Sequence, residues 1–133
     1  MRSTARVVVI GGGVVGVSTL YHLVKKGWSD VVLLERSELT AGSTWHAAGL
    51  LPLFNMSYSV GQIHKYSVDL YKRLESETGQ NVGFKVAGNL RLATCRDRMD
   101  EYQKYCGTAN TIGVPFEIIT PSEIAELWPL CNT

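Results

Sequence analysis

The sequence of 133 residues is poor in cysteine and has no excess of charge of either sign. This length allows one domain at most. No two of the three cysteines, Cys95, Cys106 and Cys131, form a C-x-x-C motif. An odd number of widely spaced cysteines predicts neither a disulfide framework nor a metal site. Reduced thiols indicate the cytoplasm, with the mitochondrial matrix as the alternative. The net charge of +1 gives no reason to expect a nucleic-acid partner.

Long hydrophobic runs are also missing. The mostly apolar stretch 7–20 follows a basic start and so resembles a secretory signal, but three consecutive glycines interrupt it and no A-x-A cleavage site follows. The stretch is too short to span a bilayer, and the six residues before it are too few for an ordinary organellar transit peptide. We therefore expect neither a signal peptide nor a membrane span.

What the sequence does contain is a βαβ pattern near its start. Val7–Ile10 is a β-branched run without polar alternation, which is typical of a parallel strand covered on both faces. Residues 11–16, GGGVVG, match G-x-G-x-x-G, and a helical pattern follows up to Gly27. Val31–Leu34 predicts a second buried strand, with Glu35 at its end. The pattern predicts a Rossmann-type dinucleotide-binding unit.

Each glycine of this motif has a physical task. Gly11 permits the tight turn after the strand, and Gly13 lets a pyrophosphate approach the backbone because it has no Cβ. Gly16 allows the helix to pack closely on the strand. The helix N-terminus, with Val14 and Val15, offers unpaired N–H groups and the positive end of the helix dipole to the phosphates.

Two charged residues follow the second strand. Glu35 comes 24 residues after Gly11, where a carboxylate can accept hydrogen bonds from ribose hydroxyls and repel a 2′-phosphate, which argues against NADP. Arg36 either contacts the ligand or is a solvated residue beyond the strand, and the sequence favours neither alternative.

The segment 37–50 separates FAD from NAD, which the βαβ pattern alone does not. A Rossmann NAD domain is expected to continue with another strand and helix, whereas this segment is rich in small residues that let the backbone lie against a flat ligand. Its candidate cofactor-binding residues are Gly42, Ser43, Thr44, Trp45, His46, Ala47, Ala48, Gly49 and Leu50.

Residues 39–50, LTAGSTWHAAGL, resemble the flavin-attachment segment of the dimethylglycine and sarcosine dehydrogenase family, within the glycine/D-amino-acid oxidase superfamily of FAD enzymes. The resemblance continues at residues 72–80, 88–94 and 128–130 and covers nearly the whole chain. It implies that His46 carries the FAD through a covalent bond from the imidazole to the 8α-methyl group. The alternative is a histidine near a non-covalent flavin. Trp45 either packs against the flavin ring or packs in the core of the protein, and the core position is slightly favoured.

The resemblance also assigns the cofactor-binding residues to the parts of FAD. Gly11, Gly13, Val14, Val15 and Gly16 would bind the pyrophosphate, and Glu35 and Arg36 the adenosine side. The segment 42–50 would bind the flavin side. No catalytic base and no metal ligand is assigned.

The expected fold is α/β, with a Rossmann-type FAD-binding βαβ unit, an incomplete doubly wound parallel sheet, over residues 1–80. Residues 81–133 would begin a truncated, mixed α+β substrate domain, with short strands at 82–86, 89–93 and 116–119. Helices are expected through Val60 and Leu74, from the Thr94 region to Gly113, and after a capping box that begins at Thr120. The chain is expected to be the N-terminal piece of a longer flavoenzyme.

The resemblance implies oxidative N-demethylation of a small N-methyl amino acid, with hydride transfer to the flavin. Electrons would pass to an electron-transfer flavoprotein or to oxygen, and folate would take part only through an absent C-terminal region. Two alternatives stay open, a non-catalytic FAD-binding regulatory protein and an NAD-binding Rossmann module.

Overall fold

A computed structural model describes residues 3–132 of the chain, which forms two compact units, Met1–Leu50 and Leu51–Thr133. The predicted domain boundary after residue 80 concerns the whole protein and stays a prediction. The elements in chain order are β1 (Val7–Ile10), α1 (Val14–Lys25), β2 (Val31–Leu34), α2 (Tyr58–Thr78), α3 (Arg96–Ile112) and α4 (Pro121–Leu127).

The first unit is the expected βαβ arrangement. Strands β1 and β2 pair in parallel, with Val7 opposite Val31 and Ile10 opposite Leu34, and α1 forms the crossover between them. The helix ends before Gly27, whose φ of 86° lies in the left-handed region that glycine tolerates. Both predicted strands are confirmed with their bounds.

Apolar side chains remain exposed around this small sheet. Ile10 is 85% exposed and Leu34 is 53% exposed, although both lie in strands of purely aliphatic sequence. Two strands and one helix cannot cover both faces of a parallel sheet, which is the arrangement that such sequences normally require. The strands therefore have the aliphatic composition of a buried sheet, but the elements within residues 3–132 leave them partly exposed.

The second unit is built on the packing of α2 against α3. Its buried core contains Tyr105, Ala109, Ile112 and Val114, with Leu53, Phe54 and Phe116 packed around it. Gly61 of α2 is buried, and a Cβ there would overlap Cδ1 of Ile112. The glycine therefore allows the two helices to approach closely.

Three segments of this unit differ from the expectation. Residues 82–86, 89–93 and 116–119 are not strands, and within the described residues the second unit contains helices and irregular segments only. A strand requires a hydrogen-bonded neighbour, and no described segment pairs with these three. Helix α3 begins in the predicted Thr94 region, with Cys95 as an N-cap that makes no side-chain capping bond.

The capping box of α4 is confirmed. Thr120 accepts from the Glu123 amide, and the Glu123 carboxylate accepts from the Thr120 amide, with Pro121 at the first helical position. These Thr120 groups lower the pKa of Glu123. Among residues 3–132, no helix has both the length and the apolar character needed to cross a bilayer.

We predict that Tyr105→Phe lowers the stability of the second unit by about 1–3 kcal/mol. The fully buried Tyr105 hydroxyl donates to the Leu53 carbonyl at 2.7 Å and accepts from the Asn55 amide at 3.1 Å, so its removal leaves both backbone groups without this partner. Hydrogen exchange at the Asn55 amide should accelerate. The control is Tyr102→Phe, whose hydroxyl makes one longer, exposed bond to Leu92 and should matter less. Equal exchange in wild type and Tyr105→Phe would contradict the prediction.

Candidate functional site

The turn between β1 and α1 needs glycine for two different reasons. Gly11 has a φ of 102°, which lies in the left-handed region, and its amide donates to the Leu34 carbonyl of the second strand at 2.8 Å. At Gly16 the reason is space, because a Cβ would overlap the carbonyl oxygen of Gly11 and lie 3.0 Å from its carbonyl carbon. Helix α1 is thus packed directly on the turn.

The helix presents its first amides beside this turn. Gly13 is the N-cap, with an extended backbone and no side chain, and its carbonyl accepts the first helical hydrogen bond from Val17. Helix geometry leaves the amides of Val14, Val15 and Gly16 without an intrahelical acceptor. The Val14 amide, expected to be unpaired, instead donates to the Thr44 hydroxyl at 2.9 Å, which leaves the amides of Val15 and Gly16. These amides can receive an anion such as a phosphate.

Glu35 lies against the glycine turn. Its Oε2 accepts from the Gly12 amide at 2.6 Å, and its Oε1 accepts from the Ser37 amide at 3.0 Å. The Gly12 bond is the main cause that holds the pKa of Glu35 below 4.5, followed by the Ser37 bond. The carboxylate is therefore charged at neutral pH and keeps further lone pairs to accept from hydroxyl groups.

The neighbouring Arg36 is exposed, and its positive charge also contributes to the low pKa of Glu35. Within residues 3–132 its guanidinium forms no hydrogen bond or ion pair, and contact of Arg36 with a ligand stays a prediction.

Sequence reasoning missed the contact between this turn and the segment that follows β2. The Thr40 amide donates to the Gly12 carbonyl at 3.0 Å, and the Thr44 hydroxyl accepts from the Val14 amide at 2.9 Å. Thr40 has a φ of 68°, which is rare for a β-branched residue. The Leu39 side chain fills the space beside Gly12, where a Cβ would lie 2.6 Å from its Cδ2. A glycine in place of Thr40 would have signalled this conformation, but the threonine does not.

His46 and Trp45 lie on the exposed side of this segment. The imidazole Nδ1 of His46 is 3.0 Å from the Gly42 carbonyl oxygen, and the two rings lie 4.6 Å apart at an angle of 50°. Trp45 is 68% exposed, so within its unit it is not a core residue, contrary to the slightly favoured interpretation. The other candidate residues from 42 to 50 are exposed except for the half-buried Thr44: Gly42, Ser43, Ala47, Ala48, Gly49 and Leu50.

The first unit therefore brings the glycine turn, Glu35 and the segment that carries His46 into contact. A glycine turn and free helix amides suit a pyrophosphate, and the adjacent charged Glu35 suits a ribose. His46 is carried by a segment bonded to the same turn. These residues fit a dinucleotide, and fold and site together define the chain as containing a dinucleotide-binding βαβ unit. Among residues 3–132, no three His, Cys, Asp or Glu side chains are grouped to hold a metal ion.

Comparison with known proteins specifies the class further. Residues 6–133 match the model of the DAO family, described as FAD dependent oxidoreductase, and the chain belongs to this family.

Three named relatives each match nearly the whole of this chain. The chain is 53% identical over 131 residues to mitochondrial dimethylglycine dehydrogenase from Rattus norvegicus, and 44% identical over 133 residues to mitochondrial sarcosine dehydrogenase from Homo sapiens. It is also 44% identical over 132 residues to the mitochondrial pyruvate dehydrogenase phosphatase regulatory subunit from Mus musculus. These matches cover 98%, 99% and 99% of this chain but only 15%, 14% and 15% of the relatives.

We predict that Glu35→Gln weakens FAD binding by about tenfold, since hydrogen bonds to a charged group contribute more than neutral ones.

The same substitution should also change how the stability of the fold depends on pH in the acid range. Because folding depresses the pKa of Glu35, its carboxylate stabilises the fold fully above pH 4.5, and this contribution is lost as the pH falls through the lower, folded-state value.

The measurement is the melting temperature of the apoprotein against pH. Wild type should exceed Glu35→Gln at pH 6, and the difference should shrink below about pH 4.5. Glu38→Gln, at a neighbouring exposed carboxylate, is the matched control. A difference that persists unchanged into acid would refute the role of the Glu35 charge.

Proposed function

We propose that the full-length protein is an FAD-dependent oxidoreductase that removes an N-methyl group from a small N-methyl amino acid by oxidation. The observation that carries the proposal is the joining of the glycine turn to the His46 segment within a chain of the FAD dependent oxidoreductase family. The names of the rat and human relatives, dimethylglycine and sarcosine dehydrogenase, support this substrate class. Family membership also favours FAD over NAD as the cofactor.

In this proposal the described residues bind the two ends of FAD. Gly11, Gly13 and the first turn of α1 hold the pyrophosphate, while Glu35 holds the adenosine ribose. Residues 42–50 hold the flavin end. When bound, FAD supplies the acceptor for the hydride equivalent that leaves the N-methyl carbon.

His46 is the proposed attachment residue, and the structure favours one of its nitrogens. Because Nδ1 faces the Gly42 carbonyl at 3.0 Å, it carries the hydrogen that donates to that oxygen. In the neutral imidazole, Nε2 then carries the free lone pair, which a nucleophile requires. We propose that Nε2 forms the bond to the 8α-methyl carbon.

The proposed attachment balances with dioxygen as oxidant. One C–H bond of the methyl group breaks, the C–N bond forms, and the methyl group and the imidazole each release a proton. The two electrons and two protons convert dioxygen to hydrogen peroxide.

The remainder of the proposed machinery lies outside the described site. None of the described residues is assigned as a catalytic base. We propose that the exposed apolar strands β1 and β2 belong to a larger doubly wound sheet and that residues 81–133 begin the substrate domain. The acceptor would be an electron-transfer flavoprotein or oxygen, with folate bound only through a C-terminal region. The mitochondrial names of the relatives support the matrix alternative over the cytoplasm.

A second candidate is an FAD-binding regulatory protein without turnover. It is favoured specifically by the 44% identity to the phosphatase regulatory subunit, although the dehydrogenase relatives include the 53% match. The described residues bind a dinucleotide in both cases, so chemistry with the substrate must distinguish them.

We predict that dimethylglycine or sarcosine bleaches the flavin absorbance of the full-length protein under anaerobic conditions. Glycine, which lacks an N-methyl group, is the control and should leave the spectrum unchanged. A yellow protein that none of these N-methyl compounds reduces would support the regulatory candidate and reject the enzyme.

A further inference from the structure

Two hydrogen bonds tie the segment that carries His46 to the glycine turn. The Thr40 amide donates to the Gly12 carbonyl at 3.0 Å, and the Thr44 hydroxyl accepts from the Val14 amide at 2.9 Å. The two bonds lie at the two ends of residues 40–44. Their partners in the turn, Gly12 and Val14, are the residues on either side of Gly13. The segment is thus fixed at both ends to the turn proposed to bind the pyrophosphate.

The segment is also closed on itself. The Trp45 amide donates to the Thr40 carbonyl at 3.3 Å, and the His46 imidazole contacts the Gly42 carbonyl at 3.0 Å. Thr40 keeps a φ of 68°, a conformation that surrounding contacts must maintain in a β-branched residue. One residue separates Thr44 from His46, so the Thr44 contact restrains the backbone that carries the imidazole, and the Gly42 carbonyl orients the ring.

We propose that Thr44 is a positioning residue for covalent flavin attachment, because its hydroxyl fixes the distance between the pyrophosphate site and His46. This inference rests on the proposed function. FAD is one molecule of limited reach, so its 8α-methyl group meets Nε2 only when the turn and the segment have the right separation. A bond between two held groups is fast when they are correctly placed and slows sharply when they are not.

The close packing at this point supports a specific role for the hydroxyl. A Cβ at Gly13 would lie 3.0 Å from Thr44 Oγ1, so the hydroxyl lies directly over the N-cap of α1. The oxygen accepts the Val14 amide through a lone pair and keeps its own hydrogen. Valine at this position has nearly the same shape but cannot accept, whereas serine can.

The test is the rate of attachment after FAD is added to full-length apoprotein, followed by flavin fluorescence of the denatured protein. Thr44→Val should slow attachment about tenfold at saturating FAD, as expected for the loss of one hydrogen bond in the productive geometry. Thr44→Ser should stay within about twofold of wild type because it retains the acceptor. Thr19→Val, which removes an α1 hydroxyl bonded to the Val15 carbonyl, should not change the rate.

Non-covalent affinity separates positioning from binding. In a His46→Ala background, Thr44→Val should change the FAD dissociation constant by less than about threefold, since the amides of Val15 and Gly16, which have no intrahelical acceptor, still receive the phosphate. If saturating FAD restored the wild-type attachment rate, Thr44 would be a binding residue and the inference would be wrong.

A second variant removes the same hydrogen bond from its donor. Val14→Pro suits the first position of a helix, and the preceding Gly13 has a ψ of 178°, which a residue before proline accepts. Attachment should slow in this variant, and adding Thr44→Val should then slow it by less than about twofold, because the shared bond is already absent.

Three results would overturn the inference: Thr44→Val as fast as wild type, Thr44→Ser as slow as Thr44→Val, or independent effects of the two substitutions in the double variant. A wild-type protein that binds FAD without attaching it would also overturn it while leaving the FAD-dependent function intact. A wild-type protein that does not bind FAD would reject the proposed function itself.

Discussion

Gly16→Ala is expected to reduce FAD binding by about 100-fold or more, which corresponds to about 2.7 kcal/mol. The added Cβ would overlap the Gly11 carbonyl oxygen, and it would also lie 3.0 Å from the Gly11 carbonyl carbon and 3.5 Å from Val9 Cγ1. Two of these three atoms belong to the backbone of the turn. Helix α1 must therefore move away from β1, which displaces the amides that are proposed to bind the pyrophosphate.

The measurement is FAD titration of the full-length apoprotein. Gly107→Ala is the matched control, because Gly107 lies in α3 with nothing within 4 Å of the added Cβ and no positive φ. This control should retain affinity and even gain up to about 1 kcal/mol of stability, since alanine is the better helix former. Equal FAD affinity in Gly16→Ala and wild type would contradict the proposed binding mode.

His46→Ala is expected to abolish covalent flavin completely. No other side chain in residues 42–50 offers an imidazole, and His46 lies on the exposed side of the segment that is bonded to the glycine turn. Acid-precipitated wild-type protein should stay yellow, while the variant should lose all its colour to the supernatant. The variant should still bind FAD reversibly, because the residues proposed to contact the pyrophosphate and the ribose are unchanged.

His22→Ala serves as the control for His46→Ala. His22 lies in α1 and contacts the Ser18 carbonyl of its own helix at 2.7 Å, away from the His46 segment in sequence. Flavin should remain attached in this variant. Retention of acid-stable flavin by His46→Ala would place the covalent bond on another residue.

Local signals predicted much of the fold. The β-branched runs Val7–Ile10 and Val31–Leu34 became strands with the expected bounds, because aliphatic residues without alternation suit a parallel sheet. The capping box at Thr120 and Glu123 fixed the start of α4, since capping depends on residues that are neighbours in sequence.

Long-range signals were weaker, and the strand predictions in the second half failed for that reason. Residues 82–86 and 89–93 have suitable side chains, but a strand forms only when another segment supplies hydrogen bonds. None of the described segments does so. Local alternation alone could not reveal this.

In the candidate site, too, local sequence patterns predicted some features, while contacts between distant segments were not predicted. The tasks of Gly11, Gly16 and Glu35 follow from a known spacing, and the structure places these residues around one turn. The contacts of Thr40 and Thr44 depend on how a later segment folds back on that turn, and no sequence pattern encodes them. They nevertheless connect the two ends of the proposed cofactor site.

The most direct test is the mass of the proteolytic peptide that contains Trp45 and His46, taken from the unmutated full-length protein. The account predicts an increase equal to one FAD less two hydrogen atoms, located on His46. An unmodified peptide from a colourless protein would contradict it.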